Sequence, residues 1–205
     1  MISGQEKIIE NFKAIFEITR TSDFLNMEGL NGEVPFWIAP YDIQLQSYAI
    51  EELDNLIKKL KNQGISVLLL DLFELTVEIL EQNIGLDKMF QVEKKKTKEK
   101  FKKALQSSLN LHERFIPLIE QKMKDSKPQI LMLKGVGTVY PFIRSHNVLN
   151  NLQSSITNIP TLMFFPGEYN GKALNLFGDL KDDNYYRAFN IFEHKINLKQ
   201  NNTNK

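Results

Sequence analysis

Residues Ile65–Phe73, "ISVLLLDLF", decide the class of fold. An unbroken run of β-branched residues and leucines is the pattern of a strand covered on both faces, because a half-exposed strand would alternate apolar with polar residues. Immediately before it, Gly64 is placed to end a helix running from about Leu45 to Asn62, whose apolar positions Tyr48, Leu53, Ile57 and Leu60 recur at helical spacing. Before that helix, "VPFWIAP" (34–40) reads as a short apolar strand stopped by Pro40. Strand, helix and buried strand in this order imply a right-handed parallel crossover, and hence an α/β protein.

Outward from this unit, "SGQE" at Ser3–Glu6 has the spacing of a capping box and precedes Ile8, Phe12 and Ile15 at helical period. The segment "TRTSDFLNMEGLNGE" (19–33) reads as an irregular loop. Residues 72–126 hold three helical patterns, more than one crossover needs, and read as a helical insertion. "PQILMLKG" (128–135) resumes the sheet, "VLNNLQSSIT" (148–157) is the next helix and "PTLMFF" (160–165) the fourth strand. A rigid "PGEYNG" turn (166–171) then leads to "KALNLFG" (172–178), a strand that is antiparallel or at an edge. In "DDNYYRAFNIF" (182–192), Tyr185, Phe189 and Phe192 share one side of a helix.

The expected architecture is a mainly parallel sheet of about four to five strands flanked by helices, Rossmann-like or degenerate P-loop-like in three layers. One domain is expected over residues 1–194, with the insertion at 72–126 and a flexible tail at 195–205.

Composition excludes several chemistries. The 205 residues contain no cysteine, which removes disulfide frameworks, thiolate zinc sites and cysteine nucleophiles together. The opening "MISGQEKIIENF" lacks the basic residues and apolar run of a signal peptide, and no apolar segment approaches a membrane span, so a cytoplasmic protein without membrane contact is expected. Net charge is only +1, yet "EKKKTKEKFKK" (93–103) carries seven lysines against two glutamates, a local +5 that leaves the remainder at −4. Lys94, Lys95, Lys96, Lys98, Lys100, Lys102 and Lys103 are therefore candidates for a nucleic-acid backbone. With little aromatic interleaving and no arginine in the run, they also fit a solvated helix face.

At the third strand's end, "KGVGTVYPFIR" (134–144) has Gly135 and Gly137 where a phosphate loop would have its glycines. Tyr140, Pro141 and Phe142 then stand where such a loop needs Gly-Lys-Ser/Thr or a third glycine. The glycines accordingly read as chain turns, Pro141 as the first residue of a helix, and Arg144 as lying one turn into it. Ligands of open α/β sheets bind at the strands' carboxyl ends, where Asp42, Asp71 and Glu168 fall. Three converging carboxylates could hold Mg²⁺ for phosphoryl chemistry, although aspartate at such places is also the ordinary helix cap. His112, His146 and His194 are dispersed, and no serine sits in a nucleophile elbow. No catalytic constellation and no cofactor is specified.

Eight aromatics crowd the 29 residues from Phe164 to Phe192, several beside arginine, a composition that suits interface anchors as well as core packing. Together, "GVGTVYPFIRSHNVLNNL", "IPTLMFFPGEYNGKALNLFG" and "DDNYYRAF", within residues 134–192, resemble the signature of the BrxB family, a component of BREX bacteriophage-exclusion systems. The resemblance implies a small α/β antiviral-defence protein that acts beside an alkaline-phosphatase-like protein, a DNA methyltransferase and a large ATPase. It brings no catalytic residues with it. A non-enzymatic assembly component is the leading expectation, with the phosphatase-like protein as first partner and Tyr140, Arg144, Phe165, Tyr169, Asn170, Tyr185, Tyr186 and Arg187 as candidate contacts. A Mg²⁺-dependent nucleotide-binding or phosphoryl-transfer enzyme using Asp42, Asp71 and Glu168, and a DNA-binding accessory protein using the lysines, remain as alternatives.

Overall fold

The computed structural model describes residues 3–28, 30, 33–182 and 187–193, the side chains of 181 and 182 excepted. Helix α1 (Gly4–Thr19) opens on the expected capping box, in which the Ser3 hydroxyl accepts from the Glu6 amide at 3.2 Å and the Glu6 carboxylate accepts from the Ser3 amide at 2.7 Å. A short helix α2 (Ser22–Leu25), capped by Thr21, occupies part of the segment read as an irregular loop. Strand β1 (Phe36–Tyr41) leads through a 3-10 turn (Ile43–Leu45) into α3 (Gln46–Asn62), and β2 (Val67–Asp71) follows.

Four helices come next: α4 (Leu72–Asn83), α5 (Leu86–Lys95), α6 (Lys98–Leu109) and, after a π-helical turn at Leu111–Phe115, α7 (Ile116–Ser126). The lysine run does not lie on one helix. It breaks at Thr97, whose hydroxyl accepts from the Lys100 amide and caps α6. Strand β3 (Ile130–Lys134), helix α8 (Ser145–Ser155) and strand β4 (Thr161–Tyr169) complete the centre of the sheet.

The strands lie in the order β2-β3-β4-β1-β7, where β7 is Phe189–Asn190, and every pairing along this path is parallel. Side chains alternate between two apolar layers. Phe36, Ile38, Leu131, Leu133, Met163 and Phe165 join the layer that includes residues of α4, α6, α7 and α8. Trp37, Ala39, Ile130, Met132, Leu162 and Phe164 face the layer of α1 and α3. Residues 72–126, read as an insertion, thus supply most of one helical layer, while only the α5–α6 corner stands in solvent.

Three expectations need correction. The "PG" of "PGEYNG" is no turn. Strand β4 runs through Pro166 and Gly167 to Tyr169 and exchanges its parallel neighbours for an antiparallel one, β5 (Leu174–Leu176), which in turn pairs with β6 (Leu180–Asp182). The turn comes later, at Asn170, whose side chain accepts from the Lys172 and Ala173 amides.

Pro141 opens no helix. The loop after β3 makes successive turns until α8 starts at Ser145, so Arg144 is the residue before the helix rather than one turn into it. Finally, Phe189 and Asn190 form β7 beside β1, not a helix. The Phe189 ring lies 5.9 Å from that of Trp37, and β1 otherwise has an open edge on this side. Tyr185 and residues 195–205 lie outside the described residues.

Candidate functional site

The carboxyl ends of the parallel strands are where such a sheet keeps its ligand, and the loops there come from β1, β2, β3 and β4. Each of the three carboxylates expected at this edge has a local partner. Asp42 accepts from the Gln44 amide at 2.9 Å and caps the 3-10 turn. Asp71 accepts from the Phe73 amide at 2.8 Å, capping α4, and its other oxygen lies 3.5 Å from the Lys134 ammonium on the adjacent strand. Glu168 accepts from the Asn175 side-chain amide at 3.3 Å across the β4–β5 pair.

The trio does not converge. Asp71 and Lys134 line a small cleft of about 70 Å³ between α3 and the loop after β3. Asp42 and Glu168 border a separate groove of about 570 Å³, between the first turns of α1 and the β4–β5 arm. Among the described residues no group of three or more His, Asp or Glu side chains is assembled that could hold a metal ion. The expected Asp42, Asp71 and Glu168 site is therefore not formed, because each residue closes its own turn, helix or hairpin. Tyr41 lines both cavities, and burial pushes its phenol up to about 12, so it stays protonated at neutral pH and is not a base.

The glycine loop is likewise turned toward the protein. Gly135 has φ +81°, and a Cβ there would stand 2.4 Å from an Asp71 carboxylate oxygen. At Gly137 a Cβ would meet the Phe177 ring at 2.7 Å. Both glycines thus permit close packing of the loop on β2 and on the β4–β5 arm. Two of the loop's amides turn inward, those of Thr138 and Val139 donating to the Gly135 carbonyl at 3.2 and 3.3 Å. Val136, Val139 and Ile143 are buried, so the loop closes the end of the sheet as an apolar plug.

The candidate contact residues divide by burial. Phe165 is fully buried and Tyr169 is 5% exposed, with its hydroxyl donating to the Ala188 carbonyl at 2.6 Å. Both belong to the core layer of α4 to α8, which corrects their reading as partner surface. Asn170 is exposed but holds the hairpin turn. Tyr140 and Arg144 are exposed, and so is Arg187, which pairs with Glu33 at 3.5 Å. Tyr185 and Tyr186 lie outside the described residues. Of the seven lysines, only Lys102 is half-buried, the other six being exposed, and none forms an ion pair among the described residues.

Two exposed apolar residues at this edge were not singled out in the sequence. Ile50, 41% exposed, lines the small cleft, and Phe73, 51% exposed, follows Asp71 by two residues. Tyr140, 37% exposed, stands in the loop after β3 on the same edge. A helical projection could have found the first two. The buried residues of α3 are Ala49, Leu53, Leu56 and Leu60, and those of α4 are Leu72, Leu75, Thr76, Ile79 and Leu80, so Ile50 and Phe73 each fall one step off an apolar stripe.

Among the described residues no helix is long and apolar enough to cross a membrane. A family model described as "BREX protein BrxB" matches residues 68–191. A Bacillus cereus (strain H3081.97) protein named BREX protein BrxB is 36% identical over 189 residues, covering 91% of this chain and 98% of the relative. An Escherichia coli O9:H4 (strain HS) protein of the same name is 30% identical over 168 residues, covering 82% and 83% respectively. No solved structure is a significant match.

Proposed function

Because this chain belongs to the BrxB family, and is thus a component of a BREX phage-defence system, we propose that it works as a non-enzymatic assembly component docking the alkaline-phosphatase-like BREX protein in the cytoplasm. The observation that carries this reading is the character of the sheet's carboxyl edge. Where an α/β enzyme would hold a ligand, the Thr138 and Val139 amides bond to their own loop, the cleft beside Asp71 is about 70 Å³, well below the several hundred Å³ of an ordinary small-molecule site, and the separate groove of about 570 Å³ at Asp42 and Glu168 gathers no metal-binding group among the described residues. The same edge presents Ile50, Phe73 and Tyr140 to solvent, with the exposed Arg144 just beyond Tyr140 in the chain. Large apolar and aromatic side chains left exposed together with arginine are the usual anchors of a protein interface.

The partner surface in this reading comprises Phe73, Tyr140 and Arg144, with Ile50 at its rim, and Arg187 as a further polar contact. The test is capture of the phosphatase-like protein by wild type and by a Phe73→Ala, Tyr140→Ala double variant whose circular dichroism matches wild type. Both side chains are exposed, so folding should be retained while capture falls at least about tenfold, the usual effect of removing two aromatic anchors. Undiminished capture sinks the surface. Capture of the methyltransferase or the large ATPase instead of the phosphatase-like protein overturns the partner.

A further inference from the structure

The lysine run finds no explanation in packing or in the docking edge. Helix α5 ends with Lys94 and Lys95, Lys96 caps it, and α6 begins at once with Lys98 and Lys100, so the helix break gathers five lysines at one exposed corner. Glu93 and Glu99 are the acidic residues of the run, and no described residue forms an ion pair with any of the seven lysines. From this corner, Lys98, Lys102 and Gln106 follow one another at i, i+4 spacing along one side of α6, a span of about 12 Å at the helical rise. Gln106 donates to the Pro141 carbonyl at 3.3 Å, which brings this side of the helix to the loop that carries Tyr140.

We propose that the α5–α6 corner and the adjoining side of α6 bind the phosphate backbone of duplex DNA without reading its sequence. An acidic protein is the other polyanion that could neutralise the corner, and the composition argues against it. Protein interfaces are depleted in lysine and anchored by buried aromatics or arginine, whereas positions 93–100 offer no apolar or aromatic side chain at all. Phosphate contacts need only mobile positive charge and gain affinity from released counterions. The absence of arginine fits a backbone contact rather than base recognition, for which arginine's planar fork is the common reader.

The test is fluorescence anisotropy of the full chain with a labelled duplex of about 25 base pairs at several salt concentrations, repeated with two unrelated sequences. Binding is expected to be equal for both duplexes, with log K falling by about four to five per tenfold rise in salt if five phosphates are contacted. Lys94→Gln, Lys95→Gln, Lys96→Gln together should reduce that slope by about three and weaken binding at low salt more than about tenfold. The matching Lys→Arg triple variant should bind as wild type. No binding at low salt, binding indifferent to salt, or a Gln variant that binds like wild type overturns the proposal. Labelled poly-glutamate bound as tightly as duplex overturns the choice of nucleic acid. The isolated chain suffices, so the result is independent of whether the phosphatase-like protein docks elsewhere.

Discussion

The stretch from Lys134 to Gly178 and the lysine run from Glu93 to Lys103 stand out about equally in the sequence, and the fold treats them in opposite ways. The first is absorbed. Its glycines admit Asp71 and Phe177 into close contact, its valines plug the sheet, and Phe165 and Tyr169 enter the core. The second makes no ion pair among the described residues and remains almost wholly in solvent. A conspicuous motif can therefore record how a backbone is packed, while a monotonous one is left available to a partner.

This contrast can be broken most directly at Phe165. If its role is packing, Phe165→Ala should cost about 3–5 kcal/mol, read as a lowered urea midpoint at unchanged m. A loss under about 1 kcal/mol, the scale of an ordinary substitution, would return the ring to the surface. Gly135→Ala should come next, at roughly 1–3 kcal/mol, since it adds left-handed strain to a collision with Asp71. Combining it with Asp71→Ala should recover part of that loss, and full additivity in a double-mutant cycle would separate the two residues.

The pH response is subtler. The Tyr41 phenol is held at about 12 against an ordinary value near 10, so the unfolded chain ionises first as pH rises. The stability that depends on the neutral phenol is whole below about pH 10 and lost progressively toward pH 12. Tyr41→Phe should flatten that loss in thermal melts, and an unchanged slope would assign it to other groups. The smallest effect belongs to the lysines. Replacing Lys94, Lys95 and Lys96 by Gln should alter stability by less than about 0.5 kcal/mol, and a larger loss would mean that the corner is structural after all.

Much of the fold was legible because local and global signals agree. Ser3 and Glu6 specify the start of α1, and Gly64 the end of α3. The all-apolar "VLLL" specified a buried parallel strand, and the structure places β2 beside β3, although at the sheet's border, where four of its five residues are half-exposed. Legibility failed where tertiary contacts override local preference. Tyr185, Phe189 and Phe192 have helical spacing, but Phe189 and Asn190 are drawn into a strand by the open edge of β1. The Asn190 side chain donates to the Tyr169 carbonyl at 3.2 Å and accepts from the Phe192 amide at 3.1 Å.

Pro166-Gly167 reads as a turn by composition, yet the strand runs through it, the Pro166 carbonyl accepting from the Phe177 amide at 2.9 Å in the antiparallel arm. At the candidate site, Asp71 closes β2 and Asp42 follows β1, while Glu168 lies within the antiparallel part of β4. That they do not converge depends on the separation of α3, the β3 loop and the β4–β5 arm, which no spacing along the chain records.

Strand β4 has a mechanical consequence. One nine-residue segment is the centre of the parallel sheet at its start and the base of the antiparallel arm at its end, so it acts as a continuous beam about 30 Å long. Between the arm and the core stand Pro166 and Gly167, and Gly167 holds φ +152° with no room for a Cβ against the Asn175 carbonyl. A load applied to the hairpin tip at Asn170 is carried through that junction into the residues that meet β1 and β3.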